Sequence, residues 1–183
     1  MKIDHVTNAK RVGQIGISAI HAKKLTFIAD SSITRDALRD DTGRVYFITI
    51  NGEIKKIGGS QCKGGIQSTI GAYLGGFAQG MSPRSYCGWN FLRQHVVAGD
   101  LVEFWFIPAP TITATIPTMN GFIQQQIAVD FHQIETACVQ EYLEVEKDYP
   151  VLNMQESGRK WRDMSGPSGR LLEGYPGIID TGA

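Results

Sequence analysis

The apolar positions of this chain change their period several times, and each change marks an element. RVYFITI, from Arg44 to Ile50, is β-branched and aromatic, Asn51-Gly52 is a strong turn signal, and EIKKIG resumes extended structure. That combination predicts a β-hairpin. A loop of odd length, Asn51-Gly52-Glu53 with glycine at a bulge, places Tyr46, Ile48, Ile54 or Lys56 on one face by even parity, so that Tyr46 and Lys56 look the same way. Further on, Ser82-Pro83 starts a helix whose apolar positions Tyr86, Trp89, Leu92 and Val96 recur at helical spacing, and Gly99-Asp100 ends it. The run LVEFWFI reads as a buried strand and TITATIPT alternates as a further one. Ile127, Phe131, Ile134, Cys138, Tyr142 and Val145, spaced by threes and fours, predict a second amphipathic helix that covers the sheet and stops before Tyr149-Pro150.

Before the hairpin, VGQIGISAI and KKLTFIAD suggest short strands, and SSITRDALRDD suggests a Ser-capped brief helix ending at Thr42-Gly43. After it, GGSQCKGGIQSTIGAYLGGFAQGM is glycine-rich and predicts a loop with a short helix from Ile66 to Leu74, facing substrate. The loop lacks the Gly-Lys-Ser/Thr ending of a nucleotide-binding P-loop. Beyond Asn153 the chain is too rich in Gly and Pro for a long element.

Composition narrows the classes. With 183 residues, 42% hydrophobic and 20% charged, the chain suits one compact core with tails and not a disordered or fibrous protein. It has no apolar run of the roughly 18 residues that a membrane span requires, and its first residues, MKIDHVTNAKRV, lack the apolar segment of a secretion signal. A soluble, cytoplasmic protein with no membrane partner is expected. Cys62, Cys87 and Cys138 form no CxxC pair and read as buried thiols. Net charge is formally zero, but residues 1–63 hold 11 Lys and Arg against 6 Asp and Glu, and residues 157–183 hold 4 against 3. Those two segments offer a grip for a polyanion, and Trp161 in GRKWRD sits among cations suited to a nucleic-acid backbone. The bland alternative is that the charges are a solvated face and Trp161 a tail anchor.

The order of elements then meets a family. GRVYFITINGEIKKIGGS resembles the two-part signature of GIY-YIG nucleases, Val45-Tyr46 standing for the first motif and Lys56-Ile57-Gly58 for the second. Downstream, IETACVQEYLEVEKDYPVLN is similar to the family's metal-binding helix and trailing Pro-x-Leu-Asn, with Glu135 at the acidic position and Asn153 after the helix. The resemblance spans roughly residues 43–155, between an extension (1–42) and a tail (156–183). Its nearest sub-pattern is that of small type II restriction endonucleases with lysine in place of the second tyrosine, with which FIPAPT is also similar.

The resemblance implies a mixed α+β domain with a three-stranded antiparallel sheet flanked by helices, and an endonuclease that hydrolyses DNA phosphodiesters with one Mg²⁺ or Mn²⁺, of restriction, phage or mobile-element type. In that reading Glu135 holds the metal, Tyr46 orients or deprotonates the attacking water beside Lys56, Tyr73 touches the phosphate, and Gly58 and Asn153 support the site. A restriction enzyme would act as a homodimer, since paired cuts need two sites related by a two-fold axis. The family's arginine on the helix after the second motif is missing, because IQSTIGAY has no basic residue. Lys63, Arg84 and Arg93 are the candidates to bind phosphate in its stead, and a lysine would be the weaker replacement. Taken singly, Tyr46 is an ordinary sheet tyrosine, Glu135 an ordinary helix glutamate, and His132 beside it a structural histidine before it is a metal partner. The alternative to the nuclease is a degenerate member of the fold that binds DNA or protein without cutting.

Overall fold

The computed structural model describes residues 1–20, 24–75 and 82–153. Its centre is the expected hairpin, β3 (Arg44–Ile50) and β4 (Glu53–Ser60). Ile50 pairs directly with Glu53, and Asn51 and Gly52 both take positive φ, 51° and 80°. This is a two-residue turn of the primed type that matches strand twist, so the expected odd-length loop is replaced by a tighter one. The bulge falls instead at Lys55, where pairing steps from Ile48–Lys56 to Thr49–Ile54. The extra residue keeps Tyr46, Ile48 and Lys56 on one face, with Gly58, whereas Ile54, expected with them, pairs with Thr49 and faces the other way.

The other elements, in chain order, are a 3-10 turn (Ile3–His5), β1 (Lys10–Ile17), β2 (Leu25–Ala29), α1 (Arg35–Arg39), then after the hairpin α2 (Gly65–Leu74), α3 (Pro83–Ala98), β5 (Val102–Pro108), β6 (Thr111–Thr118), β7 (Gly121–Ala128) and α4 (Phe131–Glu146). The expected strands lie side by side as β5-β3-β4, and β1 and β2 extend them on the β5 side into an antiparallel sheet of order β2-β1-β5-β3-β4. Residues 1–42 thus supply two sheet strands, and α1 is capped by Thr34 in place of the expected serine. The mixed α+β architecture is as read from the sequence.

Alternation decides the two layers. Tyr46, Ile48 and Ile50 pack with Ile66 and Ile70 of α2 and Tyr86, Trp89 and Leu92 of α3, while Val45, Phe47, Ile54 and Ile57 pack with Val139 and Tyr142 of α4. A strand buried on both faces explains the continuous apolar run RVYFITI. Helix α3 begins at Ser82, whose hydroxyl accepts from the Ser85 amide, and ends at Gly99 in the left-handed region, as the sequence predicts. Helix α4 starts at Phe131, four residues later than the apolar spacing suggests, because Asp130 caps it through the His132 amide. Ile127 belongs to β7, opposite Ile112, in a strand that its Gln-Gln-Gln run hid.

Strand β4 is a sheet edge; the main chain of Met1 and Leu152 meets its Ile54 amide and Lys55 carbonyl, and one side chain closes it further along. Asn153, fully buried, donates from Nδ2 to the Ile57 carbonyl (2.8 Å) and accepts at Oδ1 from the Ile57 amide (2.9 Å). Its amide mimics one further rung of the ladder at the residue before Gly58. Removing it strands a buried donor and acceptor, each costing about 1–3 kcal/mol. Asn153→Ala is therefore expected to lower stability by about 2–4 kcal/mol, seen as a fall in Tm of roughly 5–15 °C in a thermal melt; an unchanged melt would show that the clamp does not hold the edge.

Candidate active site

The site is built where the edge strand has no side chains. Tyr46 of β3 pairs with Gly58 of β4, and a methyl group at Gly58 would stand 2.6 Å from the tyrosine hydroxyl oxygen. Glycine is required there to let the buried phenol lie across the strand. Its hydroxyl meets that of Tyr73, on α2, at 3.0 Å, and the two rings sit edge to face at 6.1 Å with Phe104 behind Tyr73. Lys56 is buried on the same face of the hairpin, opposite Ile48. In front of the tyrosines opens a cleft of about 380 Å³, walled by Ser60, Cys62, Ser68, Thr69 and Ser85 and floored by Gly59.

Gly59, one residue on, faces the other layer. A methyl group there would collide with Glu135 Oε2 and the Phe131 ring, so α4 packs directly on bare backbone. The tyrosine and the glutamate come from opposite faces of the sheet and meet at two consecutive glycines of its edge strand. The Glu135 side chain is about one fifth exposed, at 22%, and the His132 ring nitrogen Nδ1 lies 3.6 Å from its Oε2. Among the described residues no group of three His, Cys, Asp or Glu gathers to cage a metal. A single half-buried carboxylate fits only a hard cation that takes its remaining oxygens from water and phosphate, which is the habit of Mg²⁺.

The candidate phosphate-binding cations are placed less centrally. Lys63 is exposed on the turn before α2. Arg84 falls in the first turn of α3, with its side chain outside the described part. The Arg93 guanidinium lies 5.9 Å from the centre of the Trp89 ring, and its Nε is buried without a hydrogen-bond partner. Trp161 and the rest of the tail lie outside the described residues.

Sequence reasoning gave no site role to Cys62, which lines the cleft, or to Arg44, which pairs with the lining residue Ser60. Arg44, only 2% exposed, heads β3 opposite Ser60 and on the face of Tyr46. Its Nη2 donates to the carbonyls of Asp40 and Thr42, while Nη1 is buried with no hydrogen-bond partner. Burial lowers its pKa, opposed by Asp40, Cys62 and Asp41. Cys62 lies between Ser60 and Thr69, with Sγ 3.5 Å and 3.6 Å from their hydroxyls and 2.9 Å from the Gly65 carbonyl. Burial raises its pKa, but hydrogen bonds from Ser60 and Thr69 and the charge of Arg44 outweigh it, and the thiol is held below its ordinary value. The signal available was parity: Arg44 is two residues from Tyr46 in a strand, and so on its face.

No family model and no curated protein matches the chain. Among solved structures it is similar to a mutant of bacteriophage T4 EndoII, with 12% sequence identity, a TM-score of 0.52, and 84% of this chain and 99% of that one covered. It is also similar to the restriction endonuclease HPY188I in complex with product DNA, at 16% identity and a TM-score of 0.46, with 85% and 87% covered. The chain therefore shares the fold of a phage endonuclease over most of its length.

The three thiols provide a check on the cleft. Burial pushes Cys87 and Cys138 up to about 11, the latter aided by Glu141 and Glu135, whereas Cys62 is lowered. At pH 8, Cys62 is expected to react with iodoacetamide at least about tenfold faster than either, read by peptide mass spectrometry. Equal rates in the folded protein would remove the thiolate-favouring environment assigned to the cleft.

Proposed function

We propose that the chain is a divalent-metal-dependent DNA endonuclease of the GIY-YIG type. The observation that carries this reading is the approach of the Tyr46 hydroxyl and the Glu135 carboxylate to the neighbouring glycines Gly58 and Gly59 from opposite faces of the edge strand, with a solvent-open cleft on the Tyr46 side. The EndoII fold and the motif resemblance support it. Glu135 would hold Mg²⁺ or Mn²⁺, which when bound supplies charge to offset that developing on the phosphate and leaving oxygen. Tyr46, hydrogen-bonded to Tyr73, is positioned to orient a water at the mouth of the cleft and take its proton. Lys56 lies buried on the same face of the hairpin, opposite Ile48. The hydroxyls of Ser60 and Thr69, bonded to each other and to Cys62, line the cleft where the family's arginine would have reached, and Lys63, exposed on the turn before α2, is the point charge available in its stead. DNA is the partner in this reading, held by local cations since the net charge is zero.

A second reading, a DNA-binding module that does not cut, is favoured by one feature: the α2 wall of the cleft presents Ser68, Thr69, Ala72 and Tyr73 and no cation. Cleavage decides between the two. Purified protein with Mg²⁺ or Mn²⁺ is expected to nick or cut supercoiled, phage or branched DNA, and EDTA to stop it. Glu135→Ala should lose at least about a thousandfold in rate while its DNA affinity stays within a few-fold, since the carboxylate serves the metal and not the grip. Tyr46→Phe should lose a hundredfold or so. Retained cutting by Glu135→Ala overturns the assignment, and salt-dependent DNA binding without cutting by the wild type selects the second reading.

A further inference from the structure

Strands β6 and β7 form a two-stranded ribbon separate from the main sheet. All 18 residues from Thr111 to Ala128 are uncharged, in a chain that is 20% charged. Pairing puts Ile112 opposite Ile127 and Ile116 opposite Ile123 on one face, and Thr113–Gln126 and Thr115–Gln124 on the other. On the second face each Gln amide donates to its Thr hydroxyl at 2.7–2.8 Å, and Phe122 stands exposed beside Pro117 at the turn end. The first exposes Ile112 at 51%, Ile123 at 49% and Ile127 at 38%. A lone ribbon with an apolar face is marginal in water, and an uncovered edge strand is a template for another chain.

The two edges differ. In a two-residue hairpin the pair flanking the turn, here Thr118–Gly121, is hydrogen-bonded and the next is not, so Pro117 sits with its ring nitrogen toward the free edge of β6 and offers no donor there. The free edge of β7 has no proline, bulge or charge, and Phe122, Gln124 and Gln126 turn their amides and carbonyls outward along it. Natural edges carry such guards unless they are used.

We propose that β7 pairs with β7 of a second copy of this chain, antiparallel about a two-fold axis, to make a continuous β6-β7-β7-β6 sheet. Charge favours this occupant: like meets like without repulsion, whereas a phosphate backbone would find no cation on the ribbon. Parity restricts the register, and the match of isoleucines selects its centre. Matching faces requires odd residues to meet odd, and centring on Gln125 sets Ile123 against Ile127 of the second copy twice, with Gln125 against its own counterpart. Gln125 then forms a non-hydrogen-bonded pair, whose Cβ atoms approach closely enough for a disulfide. The contact gains mainly main-chain hydrogen bonds, so dimerisation should depend on concentration in the micromolar range.

The test is light scattering and sedimentation of the full chain from about 1 to 100 μM, a range that brackets micromolar affinities. The wild type is expected to approach twice its 20.1 kDa, and the double variant Ile123→Lys/Ile127→Lys to stay monomeric with unchanged circular dichroism. Gln125→Cys should give a disulfide-linked dimer under mild oxidation well above the wild-type background, and Gln124→Cys, on the opposite face, should not. A monomeric wild type throughout overturns the proposal, as does equal cross-linking at 124 and 125. It is also overturned if the lysine pair leaves the oligomeric state alone and changes only DNA affinity, an outcome that would assign the ribbon to nucleic acid. None of these readouts requires the protein to cut DNA, so the dimer stands or falls apart from the nuclease.

Discussion

Two adjacent glycines at the edge of a sheet govern the rest of the site. A strand with a side chain at residue 58 would displace the Tyr46 phenol, and one at residue 59 would push away both Glu135 and Phe131. Because neighbouring residues of a strand face opposite ways, the pair opens both layers at once. Groups from the α2 side and the α4 side are thereby brought to the same few ångströms of backbone. Bare strand at an edge is also the least restrained part of a sheet, and the Asn153 amide, locked on both polar groups of Ile57, supplies the restraint that the missing side chains do not.

Elements with strong local chemistry were legible. Asn51-Gly52 defined the hairpin, Ser82-Pro83 and Gly99 bounded α3, and parity placed Tyr46 and Lys56 together, while Ile54, expected with them, faces α4 because the bulge lies at Lys55 and not in the turn. Less legible was whatever depends on partners distant in sequence. Nothing in KRVGQIGI states that it will lie along β5, and a turn with Gly121 after Met119-Asn120, leading into a glutamine run, does not announce a strand. The apolar spacing that carried α4 back to Ile127 shows how a ribbon and a helix in succession can share a period of four over a few residues, with only the Asp130 cap to separate them. Glu135 itself was legible as the acidic position of the resembled helix, but its contact with Gly59 needed both layers in place.

The charges of the chain divide by depth. Where they are engaged away from the cleft they are paired: Arg11 bridges Asp30 (2.5 Å) and Glu103 (2.6 Å), joining β1, the end of β2 and β5. At the cleft floor the pattern is different, since Arg44 spends two of its donors on loop carbonyls and keeps one nitrogen buried and without a hydrogen-bond partner. The charge of that guanidinium is met by Asp40 and Asp41 of the loop before β3 and by Cys62, and not by a paired carboxylate.

The ribbon and the site are mechanically continuous. The Ala109 amide, just before β6, donates to the Gly43 carbonyl at 2.8 Å, and the Val129 amide, just after β7, donates to Pro110 at 2.9 Å. Gly43 in turn lies under the Phe131 ring, where a methyl group would stand 2.8 Å from the ring carbon. Phe131 opens α4, and Glu135 follows it by four residues, one helical turn on the same side. A force on the ribbon therefore reaches Glu135 through one hydrogen bond, one glycine contact and one turn of helix. Packed interiors transmit such displacements because they have little room to absorb them. The root of the ribbon and the strand end where the carboxylate is held are thus one packed unit.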